Sequence, residues 1–410
     1  MDMKKIVALS VVTSGLLMAG GYKLPEQSLN SMALGAAYVA HTTAADAAYF
    51  NPANMAFMGD KQYIENSITL IYLPKNKFTS AVNPAFSGES ETESILAPNL
   101  HYVSAPMGDW RWGLSIATPG GLTKRWKTPF QKLFAEEFTL KNIEINPVIS
   151  YRVNDKFAIG GGIRIVYSEG IVNSDGNAAG IAVQREMEGD TIEFGYNLAM
   201  TYRPTSDINM AVTYRSNIDL KEEGKANLYL GGVGQQYDAE VTVPLPAALN
   251  IAISKTWQDK YTLEFNYERT FWSTYKDLDF NYDRTIQAPL IPIYDDPLPR
   301  EWKDTNTFRI GATIKVDDKF TAMFGFAIDE TPVPSKTIGF ELPDSDAKIY
   351  SMGLRYQYSE SLSFGAAFLY DSKDARTIAP GVAENSIIAN GGTFDGGGAF
   401  LTTLGLSYEF

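Results

Sequence analysis

The 410-residue chain contains no cysteine and only two histidines, His41 and His101. The first absence excludes a disulfide framework and a lipid-anchored amino terminus. The second leaves little scope for an imidazole base: neither histidine carries a local nucleophile signature, no Gly-x-Ser-x-Gly elbow is present, and no cluster has metal-ligand spacing. We therefore expect no catalysis, no metal and no cofactor. Positive charge is scarce as well, with 35 Lys and Arg against 48 Asp and Glu, a formal net charge of -13. A nucleic-acid-binding face needs clustered cations, so that partner class is not expected. No segment after the amino terminus offers about 18 uninterrupted apolar residues, which excludes transmembrane helices.

What the chain does have is alternation. Its last eleven residues place Phe400, Thr402, Leu404, Leu406, Tyr408 and Phe410 on one side of an extended strand and Leu401, Thr403, Gly405, Ser407 and Glu409 on the other. One face suits lipid and the other suits water. An apolar edge strand at the end of a soluble protein invites aggregation, whereas a closed barrel pairs it with the first strand inside a bilayer. The opposite end agrees: Lys4 and Lys5 precede an apolar run from Ile6 to Ala19 that finishes in Ala19, Gly20 and Gly21. This reads as a secretory signal peptide, residues 1–19. Aromatics at 12%, 34 glycines and a slightly negative mean hydropathy of -0.16 fit a barrel.

Period-2 segments recur near 61–74, 92–106, 109–118, 140–153, 157–169, 190–203, 208–219, 240–257, 261–275, 301–315, 319–330, 348–358, 361–371 and 399–410. Fourteen is an even number, as a single-chain bacterial barrel requires. Short turns at 107–109, 154–156, 204–207, 258–260, 317–319 and 359–361 interleave with long loops, the asymmetry of periplasmic turns and outer loops. A secreted antiparallel sandwich would share the alternation but not the aromatic terminal strand. The expected fold is all-β, a fourteen-stranded antiparallel transmembrane β-barrel over residues 59–410 in the outer membrane of a Gram-negative bacterium. Surrounding lipid and lipopolysaccharide, the barrel-assembly machinery and a monomeric state go with that reading.

Residues 20–58 are rich in Ala, Asn and Ser and lack strand alternation. A barrel of this width would leak if empty, so a plug in the lumen is physically motivated. The segments Gly21-Tyr22-Lys23-Leu24-Pro25-Glu26-Gln27-Ser28, Leu34-Gly35-Ala36-Ala37-Tyr38, Ala44-Ala45-Asp46-Ala47 and Phe50-Asn51-Pro52-Ala53-Asn54-Met55 resemble the hatch of the FadL/TodX family of outer-membrane long-chain fatty acid and hydrocarbon transporters. Asn146-Pro147, Phe271-Trp272-Ser273, the run 306–311, Asp329-Glu330-Thr331-Pro332-Val333-Pro334 and the run 342–346 are similar to family patterns in the same order. The resemblance implies a fourteen-stranded barrel with an amino-terminal hatch and passive uptake of long-chain fatty acids or other hydrophobic compounds.

Apolar surface costs about 25 cal/mol per Å² to keep in water, so an oily solute needs a chain of apolar sites. Phe130, Leu133, Phe134 and Phe138 fall at helical spacing in the loop 119–138, with Trp126 before them and Lys124, Arg125, Lys127 and Lys132 nearby. That pattern suits capture of an amphiphile with an acidic head, or a lid helix packed on the rim. Arg164, Arg309 and Arg355 are candidate carboxylate partners on the lumen face; the alternative is structural pairing with acids such as Asp46 or Asp329. In the hatch, Pro52 biases Asn51 toward an extended backbone, and the step Asn51-Pro52-Ala53 is linked by the resemblance to hatch movement. The resemblance also implies sideways release near an inward kink in the third strand, where Gly113 lies and where Pro119-Gly120-Gly121 ends the strand. The rival functional reading is a general porin or an adhesion barrel without specificity for hydrophobic substrates. Loops 276–300 and 372–398 read as irregular, with Gly and Pro clusters.

Overall fold

A computed structural model describes residues 20–410; the leader expected at 1–19 lies outside them. Fourteen strands close a ring: β1 (Tyr63–Leu73), β2 (Glu93–Val103), β3 (Trp110–Ala117), β4 (Glu137–Arg152), β5 (Phe157–Asp175), β6 (Val183–Thr205), β7 (Ile208–Arg215), β8 (Ala248–Trp257), β9 (Tyr261–Thr270), β10 (Thr305–Lys315), β11 (Phe320–Asp329), β12 (Ala347–Gln357), β13 (Leu362–Lys373) and β14 (Ala399–Glu409). Each is antiparallel to its neighbours, and β14 closes on β1 from Tyr63↔Glu409 to Tyr72↔Phe400. Closure removes both sheet edges, which is the condition for a sheet to sit in hydrocarbon.

The alternation sorts as the composition requires. Leu404, Leu406 and Tyr408 are exposed outward whereas Leu401 and Thr403 are fully buried inward, and Ile68, Leu198, Phe324 and Met352 continue the exposed apolar band around the ring. Local chemistry sets the short turns. Asn154 Oδ1 accepts from the Lys156 and Phe157 amides at 2.9 Å, and Asp317 Oδ1 accepts from the Lys319 and Phe320 amides at 2.8 Å. Gln258 and Asp259 both take positive φ, 54° and 50°, the geometry of a two-residue hairpin turn.

Three parts of the fold depart from the sequence reading; one is the loop 276–300, where Asp277–Leu278 pairs with Leu298–Pro299, Phe280–Tyr282 pairs with residues 239–241 and Ile291–Tyr294 is helical. The expected strand 240–257 is two strands, the end of an outer hairpin (Ile218–Leu230 and Val233–Leu245) and then β8, separated at Pro246-Ala247. This hairpin adds to the upper part of β6, from Glu223↔Asp190 to Leu230↔Val183, and lies beyond the lipid band, whose last exposed large apolar residue on β6 is Phe194. The loop 372–398 is also ordered: Arg376–Ile378 and Gly392–Gly396 join Asn76–Ser80 and Gly88–Glu89 in a four-stranded sheet.

Residues 20–58 lie inside the ring. They contain α1 (Leu29–Ala33), capped by the Ser28 hydroxyl, α2 (Ala47–Phe50) and a 3-10 turn (Pro52–Phe57). Lumen-facing glycines make the space for them. A Cβ at Gly325 would come within 2.1 Å of the Leu34 carbonyl carbon, and one at Gly160 within 2.7 Å of the Ala53 nitrogen. Those two glycines stand on β11 and β5, so the segment touches wall strands far apart around the barrel. Arg111 on β3 ties down its base, donating to the carbonyls of Ser104 (2.7 Å), Met55 (3.0 Å), Gly59 and Lys61 (2.9 Å).

Candidate functional site

The outer loops build an apolar cluster around Phe340. Pro129 opens a helix, α3 (Pro129–Ala135), that carries Phe130, Leu133 and Phe134, all half-buried. Phe130 meets Phe86 edge-on at 4.7 Å, while Phe134, Trp126, Phe78 and Phe394 ring Phe340 at 5.3 to 6.0 Å and Phe78 meets Phe394 at 4.8 Å. Trp126 is fully buried and its Nε1 donates to the Phe340 carbonyl at 2.8 Å, so it anchors the cluster and offers no surface. Phe138 is not on the helix: the chain turns into β4 at Glu137, and Phe138 faces a separate cavity. The four cations near α3 do not form a free basic patch. Lys124 bonds Asn76 Oδ1, Arg125 Nε holds Glu93 at 2.9 Å, Lys127 holds Glu91 at 2.9 Å, and Lys132 bridges Asp175 (2.8 Å) and Glu136 (3.0 Å).

Beneath the loops lies a pocket walled by Phe138, Leu140, Val243, Leu278, Phe280 and Leu342, with Tyr22 and Trp302 among its other lining groups. Strands, hairpin and the loop 276–300 all contribute. Tyr22, Trp272, Tyr275 and Trp302 interlock at ring separations of 4.8 to 6.4 Å, giving one end of the pocket a rigid aromatic wall. Its free volume is about 40 Å³. At about 10–15 Å³ per water, that accommodates a few waters only, so a long chain enters by displacing side chains.

Further in, a second small cavity is bounded by Leu24, Pro25, Pro119 and Leu245 together with charged groups of the wall. Arg164 and Arg309 border this cavity and Arg355 the polar cavity at the other end of the lumen, and all three arginines singled out from the sequence are already engaged, by acids other than Asp46 or Asp329. Arg164 holds Glu144 at 2.9 Å and the Ser216 carbonyl at 2.6 Å, and Arg215 shares the same Glu144. Arg309 holds Glu268 at 3.3 Å, which also takes Lys23. Arg355 reaches Asn30 (2.9 Å) and Glu65 (3.3 Å). Arg164 and Arg309 take acids of the adjacent strands β4 and β9, reached across one strand on the same face, whereas Arg355 crosses to Glu65 on β1 and to Asn30 of the inner segment.

The wall itself has a break. β2 pairs with β1 along its whole length but with β3 only from Leu100↔Ile116 to Val103↔Gly113. Beyond Ala117 the chain of β3 turns inward and bonds residues 22–27 instead of β2. Gln27 grips Thr118, the Leu24 amide donates to Pro119 O at 2.9 Å, and the Gly121 amide donates to Tyr22 O at 2.8 Å. The edge of β2 so released, residues 93–99, contains Pro98, which a fully paired strand excludes. It lies level with the exposed Leu70 and Leu96, within the lipid band. Above, the Ser90–Trp126 bridge closes the wall again. Gly113 stands just below this break and faces inward; a Cβ there would meet Met55 Sδ at 2.8 Å and Ala48 Cβ at 3.0 Å.

Asn51 links the inner segment to the wall. Its Nδ2 donates to Val39 O (2.8 Å) and Thr201 Oγ1 on β6 (2.9 Å), while its Oδ1 accepts from the Ala53 amide (3.2 Å) around Pro52. Sequence reasoning missed Glu264 on β9, whose carboxylate accepts from the amides of Val39, Ala40 and His41 at 2.5 to 2.9 Å. In the sequence Glu264 is one of two acids on the polar inward face Thr262, Glu264, Asn266, Glu268 and Thr270, and nothing local separates it from Glu268.

With this geometry in view, the comparisons decide the family. Residues 10–410 match the family described as "Outer membrane protein transport protein (OMPP1/FadL/TodX)". The chain belongs to this family. It is similar to the "Long-chain fatty acid transport protein" of Escherichia coli O6:H1, 24% identical with 94% of each chain covered. It is also similar to the "47 kDa outer membrane protein" of Pasteurella multocida, 25% identical over 88% of this chain and 89% of the other. Among solved structures, a Pseudomonas aeruginosa FadL homologue has a TM-score of 0.80 at 20% identity, covering 95% of this chain and 99% of that one. The Pseudomonas putida toluene transporter TodX has a TM-score of 0.71 at 16% identity, covering 93% and 98%. This member of the OMPP1/FadL/TodX family is an outer-membrane β-barrel of the FadL/TodX fold.

Proposed function

We propose that this chain takes long-chain fatty acids or other hydrophobic compounds across the outer membrane by passive, binding-guided diffusion, with residues 20–58 as the hatch, 59–410 as the barrel and a cleaved leader at 1–19. The cargo is captured at the Phe130, Leu133 and Phe134 face, moves to the pocket behind Phe138 and Leu140, and leaves sideways through the break above Ile116. The observation that carries this reading is the order of the parts: an apolar outer cluster, an apolar pocket and a lipid-level gap in the wall follow one another. The other end of the lumen favours no oily solute. Its cavity of about 500 Å³ is lined by His41, Thr42, Thr43, Arg203, Asn209 and Lys315 among others, a polar vestibule. A general porin needs an open lumen, and residues 20–58 fill this one.

The names of the curated relatives, which describe transport, support a carrier over an enzyme. Lipid and lipopolysaccharide surround the apolar band, the barrel-assembly machinery inserts it, and the closed ring works as a monomer. The test is uptake of a labelled long-chain fatty acid and a labelled alkane by cells that lack such a transporter. Expression of this chain restores uptake, and Leu278→Lys, which puts a charge into the pocket from a loop, abolishes it while the barrel still shows normal heat-modifiability. Unchanged uptake in Leu278→Lys refutes the route.

A further inference from the structure

The loop pocket contains one group that the transport route does not use. Glu222, on the outer hairpin strand Ile218–Leu230, is 2% exposed and lines the pocket beside Gly170 and Val172. Gly170 on β5 lies against it, the position of a Cβ there being in ordinary contact at 3.7 Å from the Glu222 carboxyl carbon. Neither carboxyl oxygen has a hydrogen-bond partner among the described residues. The hydroxyl of Ser168, on the same stretch of β5, spends its proton on Asn142 Oδ1 at 2.7 Å. The cation of the pocket is also spent, because Arg300 Nη1 is bound to Glu341 Oε1 at 2.6 Å. Buried polar groups without partners are rare in folded proteins and mark a place where something else completes the bonding.

The charges around Glu222 decide what that partner is. Burial raises its carboxyl to about 8; the nearby Ser168 hydroxyl offsets part of the rise, and the negative fields of Asp190 and Glu193 on β6 and Glu169 on β5 add to it. Across the pocket stand Glu341 and the Arg300 already bound to it. At neutral pH the group is therefore an uncharged acid with one O–H to donate and a carbonyl oxygen to accept.

Resting on the reading that this pocket holds hydrophobic cargo, we infer that Glu222 is a specificity determinant that selects an uncharged hydroxyl head, such as that of a long-chain alcohol, over a carboxylate. A hydroxyl matches both functions of the neutral acid. A carboxylate head requires a free cation or several donors, whereas here Arg300 is bound to Glu341 and the unpartnered Trp302 Nε1 is a single neutral donor. A bare hydrocarbon fits the walls but leaves the acid unpaired.

Trp302 lines the same pocket, so intrinsic fluorescence of the detergent-solubilised barrel reports occupancy. Titrations with 1-hexadecanol, palmitate and hexadecane at neutral pH test the inference in the wild-type protein directly. Hexadecanol is expected to bind about tenfold tighter than palmitate, the scale of one buried hydrogen bond. Glu222→Leu is expected to weaken hexadecanol about tenfold and leave hexadecane unweakened, whereas Glu222→Gln keeps most of the hexadecanol affinity. Palmitate binding as tightly as hexadecanol overturns the inference, as does hexadecanol binding unchanged in Glu222→Leu. If all three probes bind alike, only the role of Glu222 falls; if none binds, the pocket reading falls with it.

Discussion

The side-chain amide of Gln27 closes on both backbone groups of Thr118, its Nε2 donating to the Thr118 carbonyl at 2.7 Å and its Oε1 accepting from the Thr118 amide at 2.8 Å. One residue of the inner segment thus takes the ladder bonds that β2 would otherwise supply. His101 on β2 completes the arrangement, with Nε2 donating to the Gln27 carbonyl at 2.7 Å and Nδ1 against Ser115 Oγ at 3.0 Å. The wall is sealed up to Leu100 and open above it. Gln27→Ala removes both bonds to Thr118, a loss of about 1–3 kcal/mol. Amide exchange at Thr118, Gly120 and Gly121 is expected to rise by about five- to 150-fold, with the rest of β3 unchanged. Unaltered exchange there means that other contacts hold the kink.

Asn51 ties Val39, Ala53 and Thr201 together, so its loss loosens the hatch without touching a wall ladder. Asn51→Ala is expected to lower cargo uptake more than it lowers barrel assembly, compared by an uptake assay and a heat-modifiability gel. Equal loss of both assigns Asn51 a purely structural role.

Arg111 is nearly fully buried and binds four backbone carbonyls at the root of the hatch. Arg111→Ala strands several of these acceptors, at about 1–3 kcal/mol each. The expected result is a barrel that still assembles but whose hatch detaches intermittently, seen as ion-conducting bursts in planar bilayers that the wild-type protein lacks. Steady silence in the variant contradicts this assignment.

Helix α3 is pinned from outside the membrane by Lys132 against Asp175 at the outer tip of β5. The Lys132 hydrogen bond holds the Asp175 carboxyl below its usual value of 3.8, and Asp175 raises Lys132 above 10.5. The depressed acid stabilises the pair above its ordinary range and loses that contribution as pH falls through its folded value; the raised amine keeps it at all lower pH values and loses it only as pH rises above 10.5. The seat of α3 is therefore flat across neutral pH and loosens on acidification below about 4. Because both groups are partly exposed, the effect is about 0.5–1 kcal/mol. Asp175→Asn is expected to reproduce at neutral pH the roughly two- to fivefold faster amide exchange in α3 that acid gives the wild-type chain.

The wall was legible because period-2 alternation is a local signal: each of the fourteen strands, and turns such as Asn154-Asp155-Lys156, announces itself within about ten residues. The outer hairpin was not, since Lys221, Glu222, Glu223 and Lys225 read as a polar loop until β6 provides an edge to pair with. Leu278 and Phe280 reach the pocket from a loop that reads as irregular, and no local pattern reveals partners more than 100 residues away such as Phe138. Pro98 was a readable clue to an unpaired edge, but in the sequence it sits within good alternation. The lumen arginines were placed correctly on the inner face; their partners Glu144, Glu268 and Glu65 depend on strand register, which alternation alone does not set.

The central claim is that cargo travels through the loop pocket and out through the gap between β2 and β3. Photo-crosslinking with a diazirine-bearing long-chain ligand, followed by peptide mapping of the labelled barrel, tests it most directly. The account predicts labels on Leu140, Phe280 and Trp302 and on the gap edges at Leu96, Ala97 and Thr118. Labels confined to the polar vestibule around His41, Thr43 and Arg203, with none at the gap, would contradict it.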